Sequence, residues 1–210
     1  MSSESFVGFP HAVIPLDYPL DELLIMHRLT QEKAIELHGC GIVRADGTGN
    51  LFVGHSGAGK STTTRLWTGL EDVEVLSDDR IIVRRDGGKQ VPHRRCAPVR
   101  NDRGNFARDD RTIRMYGTPW HGEAMYASPN SAPLARIFVL EHGHGNVITR
   151  LSPSQAVAEL FARAFVPFHR HEYVESALTF LEEVAEEIPV YRYAFEPNEA
   201  AVEVVAGFRD

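Results

Sequence analysis

The residues Gly54-His55-Ser56-Gly57-Ala58-Gly59-Lys60-Ser61 match the pattern G-x-x-x-x-G-K-[ST] in full. Gly54, Gly57 and Gly59 can take turns closed to residues with a side chain, so successive backbone N–H groups can converge on an anion. A helix starting near Lys60 would add the positive end of its dipole. The chemistry this implies is the holding of a nucleoside triphosphate. Lys60 would bridge the β- and γ-phosphates, the Ser61 hydroxyl would ligate magnesium, and the loop through Thr62 would supply amides.

Asp78 and Asp79 stand only 18 positions after Lys60, at the end of an apolar run. That leaves room for one helix and one strand. Magnesium is a hard cation that takes oxygen ligands, so either acid suits it. Two adjacent acids can also divide labour, one holding metal while the other takes a proton from an attacking hydroxyl. The competing reading is a turn acid beside a surface acid. The pairs His142/His144 and His169/His171 have metal-like spacing, but no third ligand accompanies either, so loop and helix-start histidines are expected.

These residues require elements to position them. Residues 34–44 have strand character, residues 46–50 are turn chemistry, and residues 51–53 are a short apolar strand feeding the loop, which together predict a hairpin. Residues 61–69 read as a helix closed by Gly69 in a left-handed cap. Residues 73–76 predict a strand ending at the acid pair, and residues 81–83 before Asp86-Gly87-Gly88 predict a further hairpin. A short apolar element is expected at 21–29. Residues 92–133 read as long loops with short strands among them and seven arginines from Arg94 to Arg114, able to close on a triphosphate or an acidic substrate or to form solvated salt bridges. Arg111 and Arg114 are the candidates among them, and Trp120, in a Pro-containing turn, is expected to wall the site or join the core. Beyond lie strands at 134–140, 147–151 and 190–195. A helix is capped by Ser152 with Pro153 and Gln155, another spans 171–187, and a third spans 198–206.

The composition admits one globular domain: 210 residues, 43% hydrophobic and 24% charged. With 22 Lys plus Arg against 29 Asp plus Glu, the net charge of −7 speaks against nucleic acid or anionic membrane as partner. Residues 1–5 lack a signal-peptide pattern and no apolar run is long enough to span a bilayer, so a cytoplasmic location is expected. Cys40 and Cys96 read as reduced core thiols.

The run Leu37-His38-Gly39, then the glycine loop, then Ser77-Asp78-Asp79-Arg80 resembles the catalytic domain of the HPr kinase/phosphorylase family, whose phosphate loop is shared with phosphoenolpyruvate carboxykinase. The resemblance covers residues 33–195 and is specific between His38 and Arg80, leaving 1–32 as an N-terminal extension of a single domain. It implies an α/β fold of the phosphoenolpyruvate carboxykinase/HPr kinase type: a mixed sheet with antiparallel hairpins, the phosphate loop at its edge, and helices toward the C-terminus. It also implies Lys60 and Ser61 on nucleotide and metal, Asp78 as general base, His38 as its supporting partner, and Asp79 as a companion acid near magnesium. Oligomers occur among the related enzymes, so one is expected here.

Two departures direct the acceptor away from HPr. The family's N-terminal domain is not expected before the motifs, and Arg114-Met115-Tyr116-Gly117 stands where the family has a Glu-x-Arg-Gly signature. Short HPr-kinase-like proteins, some of which accompany peptide-modifying enzymes, look closer. The expected activity is ATP- or GTP-dependent, magnesium-assisted transfer of a γ-phosphoryl group to a hydroxyl on a protein, peptide or small molecule. A non-catalytic nucleotide-binding regulatory module is the alternative.

Overall fold

In the computed structural model, residues 18–86, 112–198 and 200–209 are described. The elements run α1 (Leu20–Leu29), β1 (Ala34–Val43), β2 (Gly49–Val53), α2 (Lys60–Thr68), β3 (Glu74–Ser77), β4 (Arg80–Arg85), β5 (Ile113–Gly117), β6 (Ser131–His142), β7 (Val147–Arg150), α3 (Pro153–Phe161), β8 (Ala164–Phe165), α4 (His171–Glu187), β9 (Val190–Phe195) and α5 (Ala200–Gly207). This is an α/β arrangement on one mixed sheet, ordered β2-β1-β4-β5-β6-β9-β7, with β3 and β8 also on β1. A parallel pairing of β2 with β6 closes a ring of five strands.

The long strand β1 organises the site. Its first half, Ala34 to His38, pairs with β4, and its second half, Gly41 to Val43, pairs with β3. The segment β3-Asp78-Asp79-β4 therefore runs antiparallel along one flank of β1, broken at the two acids, where Gly39 N–H donates to the Asp79 carbonyl at 2.9 Å. On the other flank Gly39 faces Val53, and Gly54 N–H donates to the His38 carbonyl at 3.2 Å. The acid break and the start of the glycine loop thus meet across His38 and Gly39.

The pleat sends alternate residues to two apolar clusters. Leu37, Val53, Leu76, Ile81 and Val139 pack with Leu160, Phe180, Leu181 and Val184 of α3 and α4. Cys40, Ile42, Phe52, Phe138 and Tyr193 pack with Trp67 of α2 and Val205 of α5. Each large apolar side chain fully buried this way contributes about 1.5–3 kcal/mol. Helices therefore cover both faces of the sheet.

Several local expectations hold. Ser152 caps α3 through a reciprocal capping box with Gln155, and Pro153 is its first residue. The bounds of α4 and β9 match the apolar periodicity. Others need correction. The glycine loop does not leave an edge strand: β2 is interior, paired with β1 on one side and β6 on the other. Gly69 is right-handed, with φ −76°, so no left-handed cap ends α2. The short strands expected within 92–133 are β5 and the start of β6, while the expectations for Arg94 through Arg111, the turn at Gly87-Gly88 and Cys96 lie outside the described residues. Cys40 is fully buried, and that burial pushes its thiol up to about 12.

Candidate functional site

The glycine loop joins β2 to α2. Gly57 and Gly59 have φ of 81° and 102°, in the left-handed region that residues with a side chain reach only at a cost of roughly 1–2 kcal/mol. No atom lies within 4 Å of where a Gly57 Cβ would sit, so this turn is open to solvent. His55, Ser56 and Gly57 are exposed, whereas Ala58 and Lys60 are buried. Lys60 Nζ donates to the carbonyls of Gly54 and His55, each at 2.9 Å. Desolvation pulls the Lys60 ammonium below its ordinary pKa, and the negative charge of Asp79 opposes that pull. Ser61 and Thr62 stand half-buried on the first turn of α2.

The two acids face different neighbours, as adjacent residues of an extended chain must. Asp78 is 1% exposed. Its Oδ1 accepts the N–H groups of Gly122 at 2.9 Å and Tyr126 at 3.2 Å, and its Oδ2 accepts that of Ala124 at 2.7 Å. Asp79 stays partly exposed: its Oδ1 lies 3.0 Å from His38 Nε2, and its Oδ2 accepts from Arg80 at 2.9 Å. The His38 hydrogen bond, aided by the charges of His38, Arg80 and Lys60, holds the Asp79 carboxyl below its ordinary pKa. His38 therefore supports Asp79, not Asp78. The expectation that His38 partners Asp78 is corrected on geometry, because the Asp78 carboxylate turns instead to three backbone amides.

Sequence reasoning missed the charged group beneath this pair. Arg80 Nε lies 2.6 Å from Glu22 Oε1 of α1 and 3.4 Å from Glu36 Oε1 of β1, and its guanidinium sits 4.9 Å over the Phe165 ring. Glu36 is fully buried, and among the described residues neither of its oxygens has a hydrogen-bond partner. Burial, then the charge of Glu22, pushes its carboxyl up to about 8 against the pull of Arg80. The available signal was a lone acid inside the apolar run Ala34-Ile35-Glu36-Leu37.

Of the remaining candidates, Trp120 is half-buried and donates Nε1–H to Asp21 at 3.1 Å, while its carbonyl accepts from Ser77 Oγ at 3.1 Å, so it braces the acid turn. Arg114 on β5 is held by Ser131 and Asp86, away from the loop. Among the described residues no three His, Cys, Asp or Glu side chains form a metal cluster. His169 contacts His27, and His171 contacts Glu175. Ser61 on the first turn of α2 and Asp79 at the strand break both carry oxygen, the ligand type a hard cation takes.

Two of the surface grooves among the described residues differ in their position relative to the loop. The larger, about 550 Å³ and lined by Val43, Arg44, Asp72 and Glu74, lies at the ends of β1 and β3 remote from the loop. The other, about 420 Å³, is lined by His142, Gly143, His144, Phe195, Glu196 and Pro197 and adjoins the loop. Among the described residues no helix is long and apolar enough to cross a membrane. No protein-family model matches this chain, and no curated protein matches it.

Proposed function

We propose that the chain is a kinase of the HPr kinase-like type, binding a nucleoside triphosphate on residues 54–62 and passing its γ-phosphoryl group to a hydroxyl acceptor. The observation that carries this reading is the meeting of two units at Gly39: an interior strand opening into left-handed Gly57 and Gly59, and a strand break presenting Asp79. Exposed loop amides and the N-terminus of α2 offer the positive pole, and Lys60 is to leave the carbonyls of Gly54 and His55 for phosphate oxygens. Magnesium on Ser61 and Asp79 would neutralise charge on the phosphates.

In this reading His38 aligns Asp79, which orients the acceptor hydroxyl and takes its proton late, when the loose transition state makes even a weak base sufficient. Asp78 shapes the turn at 122–126 that borders the acceptor side. One observation favours the non-catalytic alternative: both Asp79 oxygens are already engaged, by His38 and Arg80. Each oxygen keeps a second lone pair, so coordination remains open. Labelled ATP with magnesium and a panel of hydroxyl-bearing peptides and small molecules decides between them. Transfer that disappears in Asp79→Asn supports the kinase. Binding without transfer to any acceptor supports the regulatory module, and no binding at millimolar nucleotide sinks both.

A further inference from the structure

The strands β2, β6 and β9 run parallel, so Val53, His142 and Phe195 end on the same edge of the sheet. In open α/β sheets ligands gather at that edge. The acids lie on the β1 side of the glycine loop, and β6 and β9 lie on the other. If the transferred phosphate is to meet Asp79, the rest of the nucleotide must extend away from β1, toward His142 and Phe195.

The geometry points to the groove at His142, Gly143, His144, Phe195, Glu196 and Pro197 as the seat of the nucleoside, a base bearing an exocyclic amino group. This rests on the triphosphate reading above and assigns the other half of the same ligand. The groove is continuous with the loop: His142 Nε2 lies 2.8 Å from the Gly57 carbonyl, and the Phe195 ring supports Gly59, where an added Cβ would come within 2.8 Å of Cε1. Its volume, about 420 Å³, falls in the range that holds a small organic ligand.

The rim is fixed before any ligand arrives. Asn146 Oδ1 accepts the Glu196 N–H at 2.8 Å and the Tyr193 hydroxyl at 3.2 Å, and Asn146 Nδ2 donates to Asn198 at 3.0 Å. Glu196 Oε2 accepts the Gly145 N–H at 3.0 Å, which orients the carboxylate. Its Oε1 then serves as acceptor for a ring amino group, while His144 and Pro197 offer flat and apolar surface to the ring.

The full chain is titrated calorimetrically with Mg-ATP and with Mg-tripolyphosphate, which carries the phosphates alone. ATP binding more tightly than tripolyphosphate is expected in the parent. Glu196→Ala and His144→Ala are expected to cut the ATP affinity by about tenfold, or 1.4 kcal/mol, while tripolyphosphate binding stays unchanged. Equal affinities in the parent, or variants that keep the full ATP advantage, overturn the nucleoside seat and leave the phosphate loop intact. Failure of both ligands to bind overturns the triphosphate reading and this inference with it. Photolabelling of the unaltered protein with azido-ATP gives an independent readout: adducts on peptides holding 142–145 or 195–197 support the groove, and adducts confined elsewhere refute it.

Discussion

His38 Nε2 lies 3.0 Å from Asp79 Oδ1, a contact that links the midpoint of β1 to the break between β3 and β4. The preceding acid, Asp78, turns to the opposite side and is enclosed by the amides of Gly122, Ala124 and Tyr126. Two adjacent aspartates thus carry different physics: one partly exposed and paired with an imidazole, the other a buried carboxyl shaping a turn.

Asp79→Asn and Asp78→Asn are therefore expected to fail in different assays. Asp79→Asn should lower phosphoryl transfer by about a hundredfold or more, with a smaller loss of melting temperature than Asp78→Asn. Asp78→Asn sets an amide NH₂ against backbone donors and should cost roughly 1–3 kcal/mol, read as about 2–4 °C of melting temperature per kcal/mol. Calorimetric melts and transfer rates on both variants check this, and equal losses of stability would contradict it.

His38→Gln keeps a polar group on β1 but loses the imidazole that orients Asp79. Transfer is expected to fall roughly ten- to a hundredfold, the usual effect of removing a supporting partner. The loss should appear in kcat with KM for nucleotide nearly constant. A rise in KM alone would place His38 in binding.

Gly57→Ala and Gly59→Ala separate backbone strain from crowding. At Gly57 the added methyl meets nothing within 4 Å, so only the strain of φ 81° is felt, about 1–2 kcal/mol. At Gly59, φ is 102° and the methyl would approach Phe195 to 2.8 Å, so a larger loss is expected. Urea unfolding of the two variants gives the order directly.

Glu36 gives a pH dependence of defined sign. Its folded-state pKa of about 8 stands above the unfolded 4.5, so the folded chain binds the extra proton. The stability it permits is complete below pH 4.5 and is lost as pH rises toward 8. Glu36→Gln removes that loss, and its advantage over the parent should grow between those values to about 1 kcal/mol or more, roughly 2–4 °C. Thermal melts at pH 5 and pH 8 test it, and a constant difference would show that Glu36 does not titrate in this window.

Residues 54–61, the hairpin before them and the Ser152-capped helix α3 were legible because each is specified by neighbours a few positions apart. Glycine freedom, strand alternation and the Ser152/Gln155 box act over one turn or one strand. The partner of His38, the enclosure of Asp78 and the ion pairs of Arg80 were not legible. They join residues 41 to 58 positions apart, and the pleat reveals only that neighbouring side chains diverge, never what each will meet.

The sequence alone determined that a strand would enter a glycine-rich turn and that two carboxylates would follow one helix and one strand later, because local backbone chemistry and spacing dictate both. Only the tertiary structure decided which carboxylate remains available. The amides of Gly122, Ala124 and Tyr126 come from a distant segment to enclose one carboxyl by hydrogen bonding, leaving the other to face His38. Whether a charge is enclosed or free depends on which distant dipoles the fold brings to it.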